Sequence, residues 1–329
     1  MKISLIGTSP AMLLQTLLLA QKYKNIEIHE CNTGLGGSWK TSNFYNLKSI
    51  ETGTHILAPW KNKSTYNESL KILQKKLGLK LFLHKPNPER MINKNIKKKE
   101  LKKIKYYYVK GGAKKILENI YYLIKKKGVQ INYNSKIKEI KFGKKKKLIT
   151  SKSTFVTDQI YLPYYCDFNQ NFLKKNNLNI DKRLSVHLVI EFLNCKKFPR
   201  EFSYVQCSNF CKWIDRTSLL SEDILLREKK LYCLRLSNEG KIFYKRNPST
   251  LAKSISNDLF NYLNYNECPN KFKINYKYFE YETSYRNKSD KKKFKKFVLK
   301  KNLKIVDTTE LMKYIGRNLK NLKKLDNYV

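Results

Sequence analysis

The spacing of apolar residues changes period twice within the first thirty positions. Residues 2–6 form a short apolar run, 7–10 carry turn chemistry, 11–23 place apolar side chains at helical spacing, and 26–30 return to a short apolar run. The pattern predicts strand, turn, helix and strand, the first half of a parallel α/β unit. Lys2 followed by apolar residues up to Ala20 also resembles a secretory leader. Gly7 and Pro10 interrupt that run, Leu18 is a poor cleavage residue, and the pattern continues straight into a second strand, so a folded unit is expected.

Further along, Leu70, Leu73 and Leu77 give residues 66–77 a helical stripe, and residues 91–105 are mostly lysine, read as a solvated surface segment. Lys110-Gly111-Gly112 opens a second strong helix over 113–127, with Ile116, Leu117, Ile120, Leu123 and Ile124 on one face and Gly128 as its C-terminal stop. Short strands are expected at 129–133, 136–142, 147–150, 154–156 and 159–162, with a basic hairpin turn at 144–147. In the second half, 184–192, 230–236, 272–281 and 302–306 read as strands, and 250–263 and 308–325 as helices, the last capped by Thr308 or Thr309. No internal repeat is present, and no stretch approaches the roughly 20 apolar residues a spanning helix needs.

With 329 residues and 41% hydrophobic content the chain can bury a sizeable core. Its formal charge of +43 would by itself point to nucleic acid or an anionic membrane. Lysines are spread along the whole chain, however, and Lys, Asn, Ile, Tyr and Phe are abundant together, as an AT-rich coding sequence would produce. No specific nucleic-acid partner is therefore expected, and peripheral membrane contact through the basic surface is left open. Phe294 and Phe297, beside the lysines at 291–293, read as helix-face residues rather than base-stacking platforms. The seven cysteines are odd in number and scattered; Cys207 and Cys211 resemble half a ligand set with no second half, so no metal site is expected and a reducing, cytoplasmic setting fits.

The first strand–helix junction carries the chemistry. A dinucleotide pyrophosphate needs backbone N–H groups at close range and the positive end of a helix, with little side-chain bulk between. Gly7-Thr-Ser9-Pro10-Ala11-Met12 occupies that place: Gly7 makes the turn, Ser9 is small and carries a hydroxyl, and Pro10 suits a first helical position. Ser9 and Met12 stand where the fingerprint wants glycine, and Met12 is expected to loosen the packing of helix on strand. Glu30, 23 positions beyond Gly7, ends the second strand where a ribose-binding carboxylate is expected.

The run from Glu30 through Gly34, Gly36, Gly37, Ser38 and Trp39 resembles the extended flavin fingerprint of oxidoreductases of the amine oxidase and phytoene desaturase type. Glu51-Thr-Gly53-Thr-His55 is similar to the next stretch of that family, near the flavin ring, and 108–112 with the following helix resembles its return to the cofactor domain. The resemblance implies FAD as cofactor, Ile137 contacting adenine through its backbone, and Gly53 and His55 beside the ring, His55 being the candidate proton donor. The family's C-terminal Gly-Asp motif is missing; Tyr314-Ile-Gly316-Arg317 stands in its place and is loosely similar to an element of UDP-galactopyranose mutases.

The fold expected is therefore α/β: a Rossmann-like FAD/NAD(P)-binding domain, discontinuous over 1–60, 105–170 and 300–329, with a reduced, mixed α+β substrate domain over 61–104 and 171–299. The function implied is FAD-dependent oxidation of a small molecule. Two alternatives stay open: a mutase-like flavoprotein acting on a nucleotide sugar, and a non-catalytic binding protein on the same fold. Arg216, Arg235, Tyr281 and Tyr285 are secondary candidates on the substrate side, and His187 reads as half-buried structure.

Overall fold

The computed structural model describes residues 1–39, 41–51, 57, 63–84, 106–193, 204–206, 211–219, 231–263, 273–308 and 315. The first strand, β1 (Lys2–Ile6), leads through helix α1 (Pro10–Leu19) to β2 (Asn25–His29), and the two strands pair in parallel, as the opening pattern predicts. The sheet is completed by β7 (Gln130–Asn132) beyond β2 and, on the other side of β1, by β11 (Gln159–Pro163) and β17 (Lys304–Val306). All of its pairs are parallel, in the order β17-β11-β1-β2-β7.

Parallel sheets are stable when both faces are covered. One face, built from Ile3, Leu5, Ile26 and Ile28, packs against α1, α2 (Lys63–Leu77) and α3 (Gly112–Lys126). Met12 is fully buried there. The other face meets an antiparallel meander, β8 (Ile137–Lys141), β9 (Lys146–Thr150) and β10 (Thr154–Thr157), together with α4 (Gln170–Lys175) and α7 (Lys288–Lys300), whose Phe294 is fully buried. That second face includes polar groups: Glu27 accepts from Ser4 Oγ at 2.7 Å and pairs with Lys2 at 3.1 Å, while the His29 ring lies edge-on to Phe155. Burial alone would raise the Glu27 pKa, but hydrogen bonds from His29, Ser4 and Lys2 hold it below the ordinary value.

A second, antiparallel sheet has the order β13 (Tyr204–Gln206), β14 (Ile214–Leu219), β15 (Leu231–Leu236), β12 (Asp181–Phe192) and β16 (Ile274–Tyr285). Alternate residues sort to its two faces. Val186, Leu188 and Ile190 join a core with α6 (Pro248–Tyr262), while Val189, Cys233 and Phe279 meet the hairpin of β3 (Thr41–Phe44) and β4 (Leu47–Glu51). A further hairpin pairs β5 (Leu81–His84) with β6 (Tyr106–Val109).

Between β15 and α6 lies α5 (Asn238–Arg246), capped by Ser237, whose Oγ accepts from the Gly240 N–H at 3.0 Å. Gly240 is seated so closely on the Trp213 carbonyl that a Cβ there would overlap it. Among the described residues no helix is long and apolar enough to cross a membrane. The lysine segment 91–105 and nearly all of the helix expected over 308–325 lie outside the described residues; within it, Ile315 is buried.

Gly240→Ala is expected to destabilise the protein by about 1–3 kcal/mol, the usual cost of overpacking. Chemical denaturation checks it; unchanged stability would mean that α5 is not held against the Trp213 loop.

Candidate functional site

A cleft of about 1680 Å3 opens where the carboxyl ends of β1, β2, β11 and β17 meet one side of the antiparallel sheet. In the parallel sheet the chain leaves β1 through α1 for β2 on one side, whereas β11 lies on the other. Such a reversal leaves a crevice above the strand ends, where ligands of open α/β sheets bind.

The floor of the cleft is the β1–α1 turn. Gly7 has φ +88°, a backbone conformation that side chains disfavour, and a Cβ on it would meet no atom within 4 Å. Its N–H donates to the His29 carbonyl at 2.8 Å, tying the turn to the end of β2. Ser9 stands at the N-cap of α1, yet makes no capping hydrogen bond; its Oγ is buried and unpartnered. The first intrahelical bond runs from Leu13 N–H to Ser9 O, so the helix geometry leaves the Ala11 and Met12 N–H groups at the open, positive end. Pro10 at the first position has no N–H to satisfy.

Glu30, 2% exposed, is the hub of the next layer. One carboxylate oxygen accepts from the Thr8 N–H at 2.9 Å and from Thr8 Oγ1 at 2.6 Å; the other accepts from Asn32 N–H at 2.8 Å and Asn32 Nδ2 at 2.7 Å. Thr8 Oγ1 in turn accepts from the Gly36 N–H at 3.0 Å, so one hydroxyl links β1, β2 and the glycine loop. That loop closes in a 3-10 turn over Gly37–Trp39, and Gly37 and Trp39 line the cleft. Ile137 enters from the start of β8, where the β8–β9 register shifts.

The far wall comes from the antiparallel sheet. Ser185 and Tyr281 are direct partners across β12 and β16, and both line the cleft. Arg235 reaches Asp215 at 3.4 Å and has a buried Nε without a hydrogen-bond partner, while the Arg183 guanidinium lies 4.0 Å from the Tyr285 ring centre. Lys182 bridges Glu282 at 2.7 Å and Asp167 at 3.3 Å. The face of α5 with Asn238, Lys241, Ile242 and Lys245 forms the outer edge.

The loop after β11 is anchored from behind by Arg286, which is fully buried and donates to the Tyr164 and Cys166 carbonyls. Burial pushes the Cys166 thiol up to about 12; burial, with the adjacent Glu30, pushes Cys31 up to about 11. Both thiols bordering the cleft are therefore protonated near neutrality and poor nucleophiles.

Gly7, Ser9, Pro10, Ala11, Met12, Glu30, Gly37, Trp39 and Ile137 thus come together in one cleft. Gly36 stands behind them, donating to Thr8. Ser38 lies within the 3-10 turn. Gly53, His55 and Gly316 lie outside the described residues. Of the secondary candidates, Arg235, Tyr281 and Tyr285 line the cleft, and His187 is buried one layer behind Ser185. Sequence reasoning missed Thr8, Asn32, Asp167, Lys182, Arg183 and Ser185. Thr8 had a signal, a hydroxyl residue between the turn glycine and the helix cap; the others are brought in by strand register.

Several solved structures share this architecture. A protein of Exiguobacterium sp. 255-15 provisionally assigned as a protoporphyrinogen oxidase superposes with TM-score 0.65 and 10% identity, over 98% of each chain. A putrescine oxidase solved with putrescine bound superposes with TM-score 0.64 and 9% identity, again over 98% of each chain. An oxidoreductase of Methanosarcina mazei gives TM-score 0.58 and 11% identity, over 85% of this chain and 88% of its own. At these identities the likeness establishes the fold alone. No protein-family model and no curated protein sequence matches the chain.

Thr8→Val keeps the shape of the side chain and removes both hydrogen bonds of its hydroxyl. A loss of about 1.5–3 kcal/mol is expected, the range for a hydrogen bond to a charged group. Urea unfolding measures it, and a change within about 0.5 kcal/mol, typical of an inert surface site, would refute the linking role.

Proposed function

We propose that the protein is an FAD-dependent oxidoreductase acting on a small molecule in the cytoplasm, with no specific nucleic-acid partner. Residues 1–60, 105–170 and 300–329 form its discontinuous Rossmann-like cofactor domain, and 61–104 and 171–299 its reduced substrate domain. The observation that carries this reading is the β1–α1 turn. Open space above Gly7, the buried, unpartnered Ser9 hydroxyl and the positive end of α1 all border the same cleft. An anionic group is the ligand that satisfies all three, and a pyrophosphate fits the spacing of the turn.

In this reading the Ala11 and Met12 N–H groups and Ser9 Oγ hold the pyrophosphate. Glu30 accepts from the adenosine ribose, the exposed Asn32 side chain giving up its bond to the same carboxylate. Ile137 meets adenine through its backbone, and the loop with Gly36, Gly37, Ser38 and Trp39 flanks the cofactor. Gly53, His55 and Gly316 complete the site on the strength of the resemblance. A bound flavin supplies the acceptor for a hydride or electrons from the substrate. The protein's part is to orient the substrate against Ser185, Arg235 and Tyr281 and to keep the strand ends dry. The cleft exceeds the roughly 300–1,000 Å3 of a drug-sized ligand pocket, which suits a dinucleotide and a substrate together. That the structural neighbours include an oxidoreductase and a putrescine oxidase supports the same class of reaction.

The purified protein is expected to carry, or to take up from added FAD, a yellow chromophore in about one-to-one ratio. Gly7→Val should fold and lose it, because a side chain there is strained and fills the phosphate space. Stoichiometric flavin retained by a folded Gly7→Val protein would overturn the placement, and a colourless wild type that takes up no FAD would overturn the function.

A further inference from the structure

We propose that Ser185 and His187 form a proton-transfer pair on the substrate wall of the cleft. Ser185 is half-buried and lines the cleft, while His187, 6% exposed, stands behind it on the same face of β12. Ser185 Oγ and His187 Nε2 are 2.9 Å apart. The other ring nitrogen, Nδ1, lies 3.6 Å from Cys233 Sγ on β15, and Tyr281 stands edge-on to the ring at 5.4 Å.

The partners matter because of what they can exchange. A hydroxyl and a thiol each donate or accept, so neither commits the imidazole to one tautomer. With Nδ1–H toward Cys233, Nε2 accepts the Ser185 proton and Oγ becomes a base facing the cleft. With the opposite tautomer, Nε2–H donates to Oγ and the hydroxyl proton points outward.

The step balances within the pair. A substrate N–H, O–H or acidic C–H bond breaks, its electron pair stays on the substrate atom, and the proton joins Ser185 Oγ as the serine's own proton moves to His187 Nε2. Substrate anion and imidazolium form together, and the proton returns when product leaves. Ser185 is the catalytic residue, and His187 the positioning residue that receives the charge. Among the described residues the groups facing His187 include Cys233 and Arg235 on β15, Tyr281 on β16 and Arg183 on its own strand, with Asp215 on β14 held by Arg235 and the β3–β4 hairpin adding the Ser42 hydroxyl beside Tyr281. A role in oxidation rests on the flavin reading; the basicity of the pair does not.

The test separates the two. The probe is 5-nitrobenzisoxazole, whose ring opens when a base removes its C–H proton and the N–O bond breaks, giving a coloured phenolate without any cofactor. The full chain, with and without FAD, should open it faster than Ser185→Ala by on the order of 10²-fold, the scale of general-base catalysis. The wild-type rate should rise with pH as a single group loses its proton, and that step should vanish in His187→Gln. Ser185→Thr, which keeps a hydroxyl, should restore most of the rate. Ser185→Ala as fast as wild type, or a pH step that survives in a folded His187→Gln protein, overturns the pair. Flavin absorbance on the same samples reports the cofactor independently: ring opening without flavin leaves the pair standing and removes the flavin reading, and the reverse removes the pair.

Discussion

A carboxylate that is 2% exposed must find donors or lose the free energy of its hydration. Glu30 finds them in Thr8 and Asn32, and that requirement organises the cleft. Its main chain is held as well, by Glu30 N–H to the Asn132 carbonyl at 2.9 Å and Ser135 N–H to its own carbonyl at 2.7 Å. The turn after β1, the end of β2, the glycine loop and the approach to β8 therefore meet at one residue. Hydrogen bonds to a charged partner are worth roughly twice neutral ones, so this junction is stiffer than its short loops would otherwise be. With the turn held, Gly7 and the first turn of α1 face open space while Ser9 keeps an unused hydroxyl beside them.

The charge of the chain reads differently beside this site. Lysine and arginine outnumber aspartate and glutamate 69 to 26 overall, whereas the described residues lining the cleft include six lysines or arginines and five carboxylates. Among the described residues the excess of positive charge is thus not concentrated in the cleft lining. Several of the lining charges compensate one another directly, Lys182 with Glu282 and Asp167, and Arg235 with Asp215.

Where one period persisted long enough, the fold was legible in the residues. β1, α1, β2 and α3 are local patterns with strong turn signals, and the meander from β8 to β10 alternates around clear breaks. The pieces missed are short or composed against their type. β3 is Thr-Ser-Asn-Phe, α4 has only six residues, and α5 contains Gly240 in its first turn, a helix breaker whose place is explained by its contact with the Trp213 carbonyl. Nothing local announces such a contact. The β1–α1 turn on the floor of the cleft was legible for the same reason: Gly7, Ser9, Pro10, Ala11 and Met12 lie within six consecutive positions.

The wall formed by the antiparallel sheet was not, and β12 shows why. Its run Val-His-Leu-Val-Ile-Glu-Phe reads as uniformly buried, and both of its faces are indeed covered, one by α6 and the other by the β3–β4 hairpin. The alternation that sends Ser185 and His187 to one side and Val186 and Leu188 to the other is invisible in hydropathy, because both sides exclude water. Only pairing with β15 and β16 brings Cys233, Arg235 and Tyr281 to that same face from positions about fifty to a hundred residues away. A motif search looks along the chain, whereas this wall is written across it. The turn at the floor of such a cleft can accordingly be read from consecutive residues, while its far wall exists only as a register of four strands.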